Sequence, residues 1–311
     1  MPFHARNKTL AILAGAGAAA MILAGCTPGQ ASSGPAVVAT PDTEYLANMG
    51  WEPEPGAVPN FACTDDSYAR AVTDGINLGI YTAAPYEYME NGKPAGLDWE
   101  INMAVLAYVG IEKYETVTLQ WEGMIPALDS KRIDVITGNI HETPDRLKNI
   151  AFTSPAWWYG SSLMISEGNP KNITSWKDLT REDITVGVVN GSQSMTYLEE
   201  IGADFTPYQD ANSEFAAIAA GRHDVIVDDG PKQAEYILAH PESRLIILQA
   251  DDMPPADLLA NYARYGVRQE DCTLNAAYSR ALSELRAHGV IDKILEKYGL
   301  EDNMFQPEYK P

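Results

Sequence analysis

From Gly75 onward, short apolar runs that read as strands alternate with helical stretches, and that rhythm passes through the chain twice. Gly75-Ile76-Asn77-Leu78-Gly79-Ile80 alternates as a strand does, and Asn91-Gly92 supplies a turn. Asp98 can cap a helix whose apolar residues Ile101, Val105, Tyr108 and Val109 share one face. Val117 and Leu119 mark a second strand, Met124 to Leu128 a short helix and Ile133 to Ile136 a third strand, giving a β-α-β-α-β order. After the aromatic cluster Trp157-Trp158-Tyr159 the rhythm restarts, with strands at Leu163 to Ile165, Ile184 to Val189, Val225 to Val227 and Leu245 to Leu248. A strand from Tyr262 to Val267 then leads into a long amphipathic helix from Thr273 to about His288, followed by a shorter one through Ile291, Ile294 and Leu295. Strands alternating with helices predict an α/β protein whose sheets are covered on both faces.

The N-terminus belongs to a different kind of segment. Arg6 and Lys8 precede an uncharged run from Leu10 to Gly25, too short for a membrane span of about 20 residues and suited to a secretory signal. The run ends in Leu23-Ala24-Gly25-Cys26, which resembles a bacterial lipobox, where the cysteine is lipidated and becomes the new N-terminus. The alternative is an uncleaved anchor with an incidental cysteine. Residues 1–25 are therefore read as a lipoprotein signal peptide. Residues 26–60, rich in proline and glycine with little apolar periodicity, are read as a lipid-anchored flexible tether. The expected location is outside the cell, on the outer face of the bacterial membrane.

Two cysteines remain, Cys63 and Cys272, and in an exported protein such a pair can form a disulfide; two free buried thiols are the alternative. The formal charge of -21 excludes a phosphate-backbone partner, which needs a basic surface, and equally a polybasic lipid clamp. Removing residues 1–25 takes away Arg6 and Lys8 and no acid, so the exported chain is more acidic still. Net charge of this kind bears on solubility and steering more than on pocket chemistry.

Catalytic signatures are absent from the sequence. Its five histidines show no metal-ligand spacing, no phosphate-binding or dinucleotide glycine pattern occurs, and there is no Gly-x-Ser-x-Gly elbow. Asp228-Asp229 and Asp251-Asp252 could in principle serve acid-base chemistry, but adjacent acids are more often surface or binding groups. No catalytic residue, cofactor or metal is expected.

Three segments change the picture: Gly96-Leu97-Asp98-Trp99-Glu100-Ile101, Trp121-Glu122-Gly123-Met124-Ile125-Pro126-Ala127-Leu128, and Asp134-Val135-Ile136-Thr137-Gly138-Asn139-Ile140-His141-Glu142-Thr143-Pro144-Asp145-Arg146. They resemble the polar amino acid type of bacterial extracellular solute-binding protein family 3, which feeds ABC importers. Val186-Gly187-Val188-Val189-Asn190-Gly191-Ser192-Gln193 is similar to that family's Gly-Thr-Thr turn, Gly221 to Asp229 to its Gly-Arg-x-Asp-Ala stretch ending in an acid, and Gly289 to Tyr298 to its closing helix. Any one motif is weak, but six in register from Gly75 to Leu300 are hard to obtain by accident.

The resemblance implies a two-lobed, periplasmic-binding-protein-like α/β fold of type II, with two crossover strands forming a hinge and a ligand cleft between the lobes. Lobe one is expected at 61–159 plus 263–311 and lobe two at 160–262. Arg146, after Thr143-Pro144-Asp145, matches the family's ligand-carboxylate arginine; a guanidinium offers a carboxylate two parallel donors. Asp229 matches the acid that takes the α-ammonium from the second lobe. An ordinary surface arginine and a strand end facing solvent are the plain alternatives. Trp121 falls where relatives place a wall against the ligand, although a core tryptophan reads as well. Gly138, Asn139 and His141 align with the loop that offers polar groups, His141 replacing the usual Ser or Thr. Ser192 and Gln193 sit at a helix N-terminus, where backbone amides favour an anion or polar group and an N-cap turn is equally compatible. Where many relatives stack an aromatic on the ligand, this chain has Ala83, with Tyr81 nearby as a substitute.

The resulting expectation is the extracellular substrate-binding component of an ABC importer, a monomer that captures a polar amino acid or related zwitterion by hinge closure and delivers it to a membrane permease. Two rivals stand beside it: a cyclohexadienyl-dehydratase-like enzyme on the same fold, with His141 as its acid-base candidate, and a ligand-sensing lobe for a membrane receptor.

Overall fold

The computed structural model describes residues 41–51, 63–255, 258 and 261–303; Cys26, the apolar run before it and most of the stretch read as a tether lie outside them. After α1 (Thr43–Asn48) and α2 (Ser67–Asp74) come β1 (Ile76–Ile80), the hairpin β2 (Tyr88–Glu90) and β3 (Lys93–Ala95), and α3 (Leu97–Val109). β4 (Tyr114–Thr118), α4 (Met124–Asp129), β5 (Val135–Ile140) and β6 (Ile150–Phe152) follow. β7 (Trp157–Tyr159) then leads to β8 (Ser161–Ser166), β9 (Val186–Val189), α5 (Gln193–Ile201), β10 (Phe205–Tyr208), α6 (Ala211–Ala219), β11 (Val225–Asp229), α7 (Gly230–Ala239) and β12 (Leu245–Ile247). The chain returns through β13 (Asn261–Arg268) and closes with α8 (Cys272–Ala287) and α9 (Val290–Lys297).

One sheet has the order β4-β1-β5-β13-β6 and the other β10-β9-β11-β8-β12. In the first, β1 runs parallel to β4 and β5 while β13 is antiparallel to β5 and β6. In the second, β9 runs parallel to β10 and β11 while β8 is antiparallel to β11 and β12. Between the sheets β7 and the start of β13 pair antiparallel, Tyr159 opposite Asn261 and Trp157 opposite Ala263, so the chain crosses from sheet to sheet twice at one place. Mixed α/β sheets are what the alternation of strands and helices predicts, and the two crossing strands are what the family resemblance implies.

Three findings depart from the sequence reading. α3 is buried almost all round instead of on one face, because α8 and the sheet pack on it, and a helix apolar on every side belongs in a core. Asp98 does not cap it: Gly96 holds the N-cap position, and Asp98 points inward with no exposure. At Gly96, with φ of 119°, a Cβ would lie 2.4 Å from the Tyr86 carbonyl oxygen, so only glycine lets the loop carrying Tyr81 and Tyr86 pack against the start of α3. Finally, the stretch 26–60 read as tether includes α1, whose Leu46 is fully buried, and Trp51 stacks on Tyr108 and His288 with centroids 5.1 and 4.5 Å away. A leucine and a tryptophan with apolar partners hold residues 41–51 on the first lobe. Cys63 and Cys272 form a disulfide, with Cα atoms 5.8 Å apart across a separation of 209.

Candidate functional site

Parallel strands end on the same side of a sheet, so in each lobe the residues just past the strand ends gather at one edge, and the two edges face each other across a cleft. From the first lobe come Tyr81 after β1, Trp121 after β4, and Asn139, His141 and Arg146 from the end of β5 and its loop. From the second come Ser192 and Gln193 after β9 and Asp229 at the end of β11. Gly138 alone of the expected residues does not line the cleft. It sits one layer behind, where a Cβ would meet Glu87 Oε2 at 3.3 Å and the Tyr81 Cβ at 3.9 Å.

Arg146 opens a short helical turn, its backbone N–H donating to Thr143 Oγ1 at 3.2 Å. The guanidinium donates to the His141 carbonyl at 2.8 Å and, across the cleft, to the Gly191 carbonyl at 3.1 Å. Its Cζ lies 5.6 Å from the centroid of the Trp121 ring, and Trp121 Nε1 donates to the same Gly191 carbonyl at 3.2 Å. Burial pushes its pKa down, the nearby Asp229 opposes that, and among the described residues no carboxylate comes within 4.0 Å. Such a half-buried cation, held by carbonyl oxygens and an aromatic face, is ready for an anionic ligand group.

Tyr81 packs edge-on to Trp121 at 5.5 Å, and its hydroxyl accepts from the Ala211 amide of α6 at 2.9 Å. Together with the Gly191 contacts, and with Asn190 bonding Glu122, this bond ties the two rims together. Tyr81 thus lines the cleft, whereas Ala83 is buried in the loop behind it. Ser192 is the N-cap of α5, its Oγ accepting from the Met195 amide at 3.1 Å, and it also lines the cleft, so its two readings coexist. The amide Nδ2 of Asn139 and the Ser161 hydroxyl are buried without a partner, as is Asn261 Oδ1 in the hinge; all three belong to cleft-lining residues. Buried polar atoms of this kind cost stability unless something bonds them.

The second lobe carries acids. Asp229 ends β11 and Asp228 beside it is only 3% exposed, and both line the cleft, so of the two readings of adjacent acids, surface or binding groups, the pair does not fit the surface one. Lys232, on the first turn of α7, places Nζ 2.5 Å from Asp228 Oδ1 and 3.1 Å from Asp229 Oδ2. Burial pushes the Asp229 carboxyl up to about 6, with Lys232 pulling down and Asp228 pushing up. Glu214 on α6 is fully buried, and burial followed by the Asp228 charge raises its pKa well above the carboxylate range. In the first lobe burial likewise raises Glu87, and takes Asp98 up to about 7 against hydrogen bonds from Trp157 and Tyr265.

Sequence reading missed Lys232, Tyr86, Tyr159, Ser161 and Asn261. A lysine three residues after an acid at a Gly-Pro helix start was a usable signal for the first. The aromatic cluster ending in Tyr159 hinted at the third, while Ser161 and Asn261 face the cleft only because of the hinge.

The profile of the bacterial extracellular solute-binding proteins, family 3, matches residues 76–301. The lysine/arginine/ornithine-binding periplasmic protein of Escherichia coli (strain K12) is 27% identical over 238 residues, 75% of this chain and 90% of that protein. Among solved structures, an ancestral arginine-binding protein bound to glutamine aligns with a TM-score of 0.65 at 27% identity, covering 73% of this chain and 98% of its own. An ancestral amino acid-binding protein, a precursor of cyclohexadienyl dehydratase, aligns with a TM-score of 0.66 at 24% identity over 75% of this chain and 99% of its own, a likeness of fold alone. Two sheets of matching topology, a double crossing between them and a profile match that takes in both lobes lead to one conclusion: the chain belongs to the bacterial extracellular solute-binding proteins, family 3.

Proposed function

We propose that this protein is the substrate-binding component of an ABC importer, and that it captures a polar amino acid or related zwitterion between its lobes. The observation that carries the reading is the placement of opposite charges on opposite walls of one cleft: Arg146, without a carboxylate partner among the described residues, and Asp229. A ligand with both a carboxylate and a cationic group satisfies both walls at once and draws the lobes together. Trp121, Tyr81, His141, Asn139, Ser192 and Gln193 supply the walls and polar contacts. The similarity to the Escherichia coli protein, whose name states amino acid ligands, supports the class of solute.

In this reading the protein works as a monomer outside the cell, held by a lipid on Cys26, and hands its ligand to a permease; its chemistry is binding and not turnover. The test is a thermal melt of the protein after unfolding and refolding to strip bound ligand, against each amino acid and the matching decarboxylated amine. A ligand at 100 times its Kd adds about 2.7 kcal/mol, a shift of several degrees. Stabilisation by amino acids and not by their amines supports the carboxylate clamp at Arg146. No response to any zwitterion sinks the reading, and turnover of prephenate or arogenate would favour the enzyme instead.

A further inference from the structure

Resting on the reading of this cleft as a zwitterion site, we propose that Lys232 sets the charge of the second lobe's wall, so that the protein takes net-neutral zwitterions with one cationic centre and discriminates against ligands that bring two. Lys232 is an unusual residue where it stands. It lies on the first turn of α7, where the helix dipole disfavours a cation, and is only 7% exposed. What holds it there is the pair of carboxylates: Nζ lies 2.5 Å from Asp228 Oδ1 and 3.1 Å from Asp229 Oδ2. Its position 5.9 Å from the centroid of the Tyr86 ring adds a weaker attraction.

The charges on that wall can be followed group by group. Asp228 and Asp229 bring two negative charges and Lys232 one positive, which leaves one negative charge for a ligand. Glu214 lies fully buried behind them, and burial followed by the Asp228 charge raises its pKa well above the ordinary value, which favours its neutral form. On the opposite wall Arg146 receives the ligand carboxylate, burial raises the Glu87 carboxyl well above its ordinary value, and Asp98 is turned away from the cleft, bonded to Trp157 and Tyr265. The cleft therefore balances one carboxylate and one cation. A second ligand cation would find aromatic faces, Tyr81, Tyr86, Trp121 and Tyr159, whereas the two carboxylates among the described lining residues, Asp228 and Asp229, are already engaged by Lys232, with only the buried Asp228 Oδ2 left unbonded. Aromatic attraction for a cation is weaker than the cost of desolvating it.

Without Lys232 two neighbouring carboxylates would share the wall, an arrangement that favours taking up a proton or a second cation. The experiment is calorimetric titration, at pH 7.5, of ligand-stripped wild type, Lys232→Met and the double variant Lys232→Met/Asp228→Asn with the standard amino acids and ornithine. Wild type is expected to bind a net-neutral amino acid most tightly, with lysine, arginine and ornithine roughly a hundredfold weaker or more. Lys232→Met should shift that ratio towards the dibasic ligands by about tenfold or more, and the double variant, again with one net negative charge, should shift it back. A dibasic or acidic amino acid as the tightest wild-type ligand overturns the proposal, as does an unchanged ratio in Lys232→Met. Should that variant not fold, the wild-type panel decides alone. Failure of wild type to bind any zwitterion would fail the importer reading and this proposal together, whereas tight binding of a dibasic amino acid fails only the proposal.

Discussion

In the first lobe β1 lies between β4 and β5, with the antiparallel β13 beyond; in the second, β9 lies between β10 and β11, with the antiparallel β8 beyond. The same order delivers strand ends to the cleft from both sides, yet the lobes load those ends differently. The first lobe hides its acids: Asp98 accepts from Trp157 Nε1 and Tyr265 hydroxyl at 3.0 Å each, and Glu87 accepts from the Tyr81 amide at 3.2 Å. Asp98 and Glu87 act as internal struts, while at the rim stand the Arg146 guanidinium, facing the cleft, and Glu122, which accepts from Asn190 of the other lobe. The second lobe puts Asp228 and Asp229 at the rim and sets Lys232 between them. Topology decides where a side chain stands, and the few residues at the strand ends decide what the cleft can hold.

The comparison breaks most readily at Arg146. If the first lobe's contribution is one cation without a carboxylate partner, Arg146→Ala should weaken every zwitterionic ligand by about 2 to 5 kcal/mol, the usual cost of truncating one side of a buried charge pair. Calorimetric titration of the variant measures it. A loss under threefold, with the melting temperature unchanged, would move the carboxylate contact elsewhere.

Asp98 tests the idea of a strut. Its carboxylate ties α3 to β7 and β13, so Asp98→Ala leaves the buried donors of Trp157 and Tyr265 without their acceptor, for a loss of about 2 to 4 kcal/mol of stability at pH 5. The sign of the pH effect follows from its pKa of about 7, above its ordinary 3.8. The folded state holds the proton more tightly than the unfolded chain, so stability is lost as pH rises from about 4 to about 7 and is level above that. The wild type should therefore be weakened at pH 8, and the gap between wild type and Asp98→Ala should narrow. Denaturant titrations at the two pH values check it, and a gap that widens at pH 8 contradicts the assignment.

These struts also mark where sequence reading stopped. The strands and their order were legible because apolar residues in β5, β9 and β11 must be buried on both faces. Arg146, Asp229 and Trp121 were legible because a motif holds them at fixed offsets from those strands. Asp98 was read as a cap, since an acid before an apolar helical run signals one locally, and its partners Trp157 and Tyr265 are supplied by distant strands. Lys232 was passed over although it follows an acid by three residues; only the fold shows two carboxylates around it.

A weaker effect should separate the two walls. Asp229 titrates near 6 and Arg146 stays charged through the accessible range, so acidification should discharge the second wall alone. Sign again follows from protonation: below about 6 the free protein takes up a proton that a ligand cation must displace. Affinity should fall by up to about tenfold for each pH unit below 6 and stay level between pH 7 and 8. Asp229→Asn should bind more weakly at pH 7.5 and lose this dependence. Calorimetry in buffers of different ionisation enthalpy would also read the released proton directly. A flat affinity down to pH 5 would mean that Lys232 holds Asp229 ionised, and that the second wall does not titrate.

The smallest effect is expected at Gly138, the residue that the family resemblance assigns to the ligand loop and the fold places behind it. A methyl group there would stand 3.3 Å from Glu87 Oε2 and 3.9 Å from the Tyr81 Cβ, close but relieved by a few tenths of an ångström, and the backbone there is open to alanine. Gly138→Ala should cost under about 1 kcal/mol of stability and change ligand affinity less than about threefold, since nothing at the cleft surface is altered. Paired melts and titrations of the variant decide between two accounts of the first wall. If affinity drops by tenfold or more while the melting temperature holds, the ligand reaches the backbone at Gly138, and the first lobe recognises its solute through main-chain groups as much as through Arg146. If both stay near wild type, the first wall is built by side chains alone, and Gly138 is glycine because Glu87 and Tyr81 close over it.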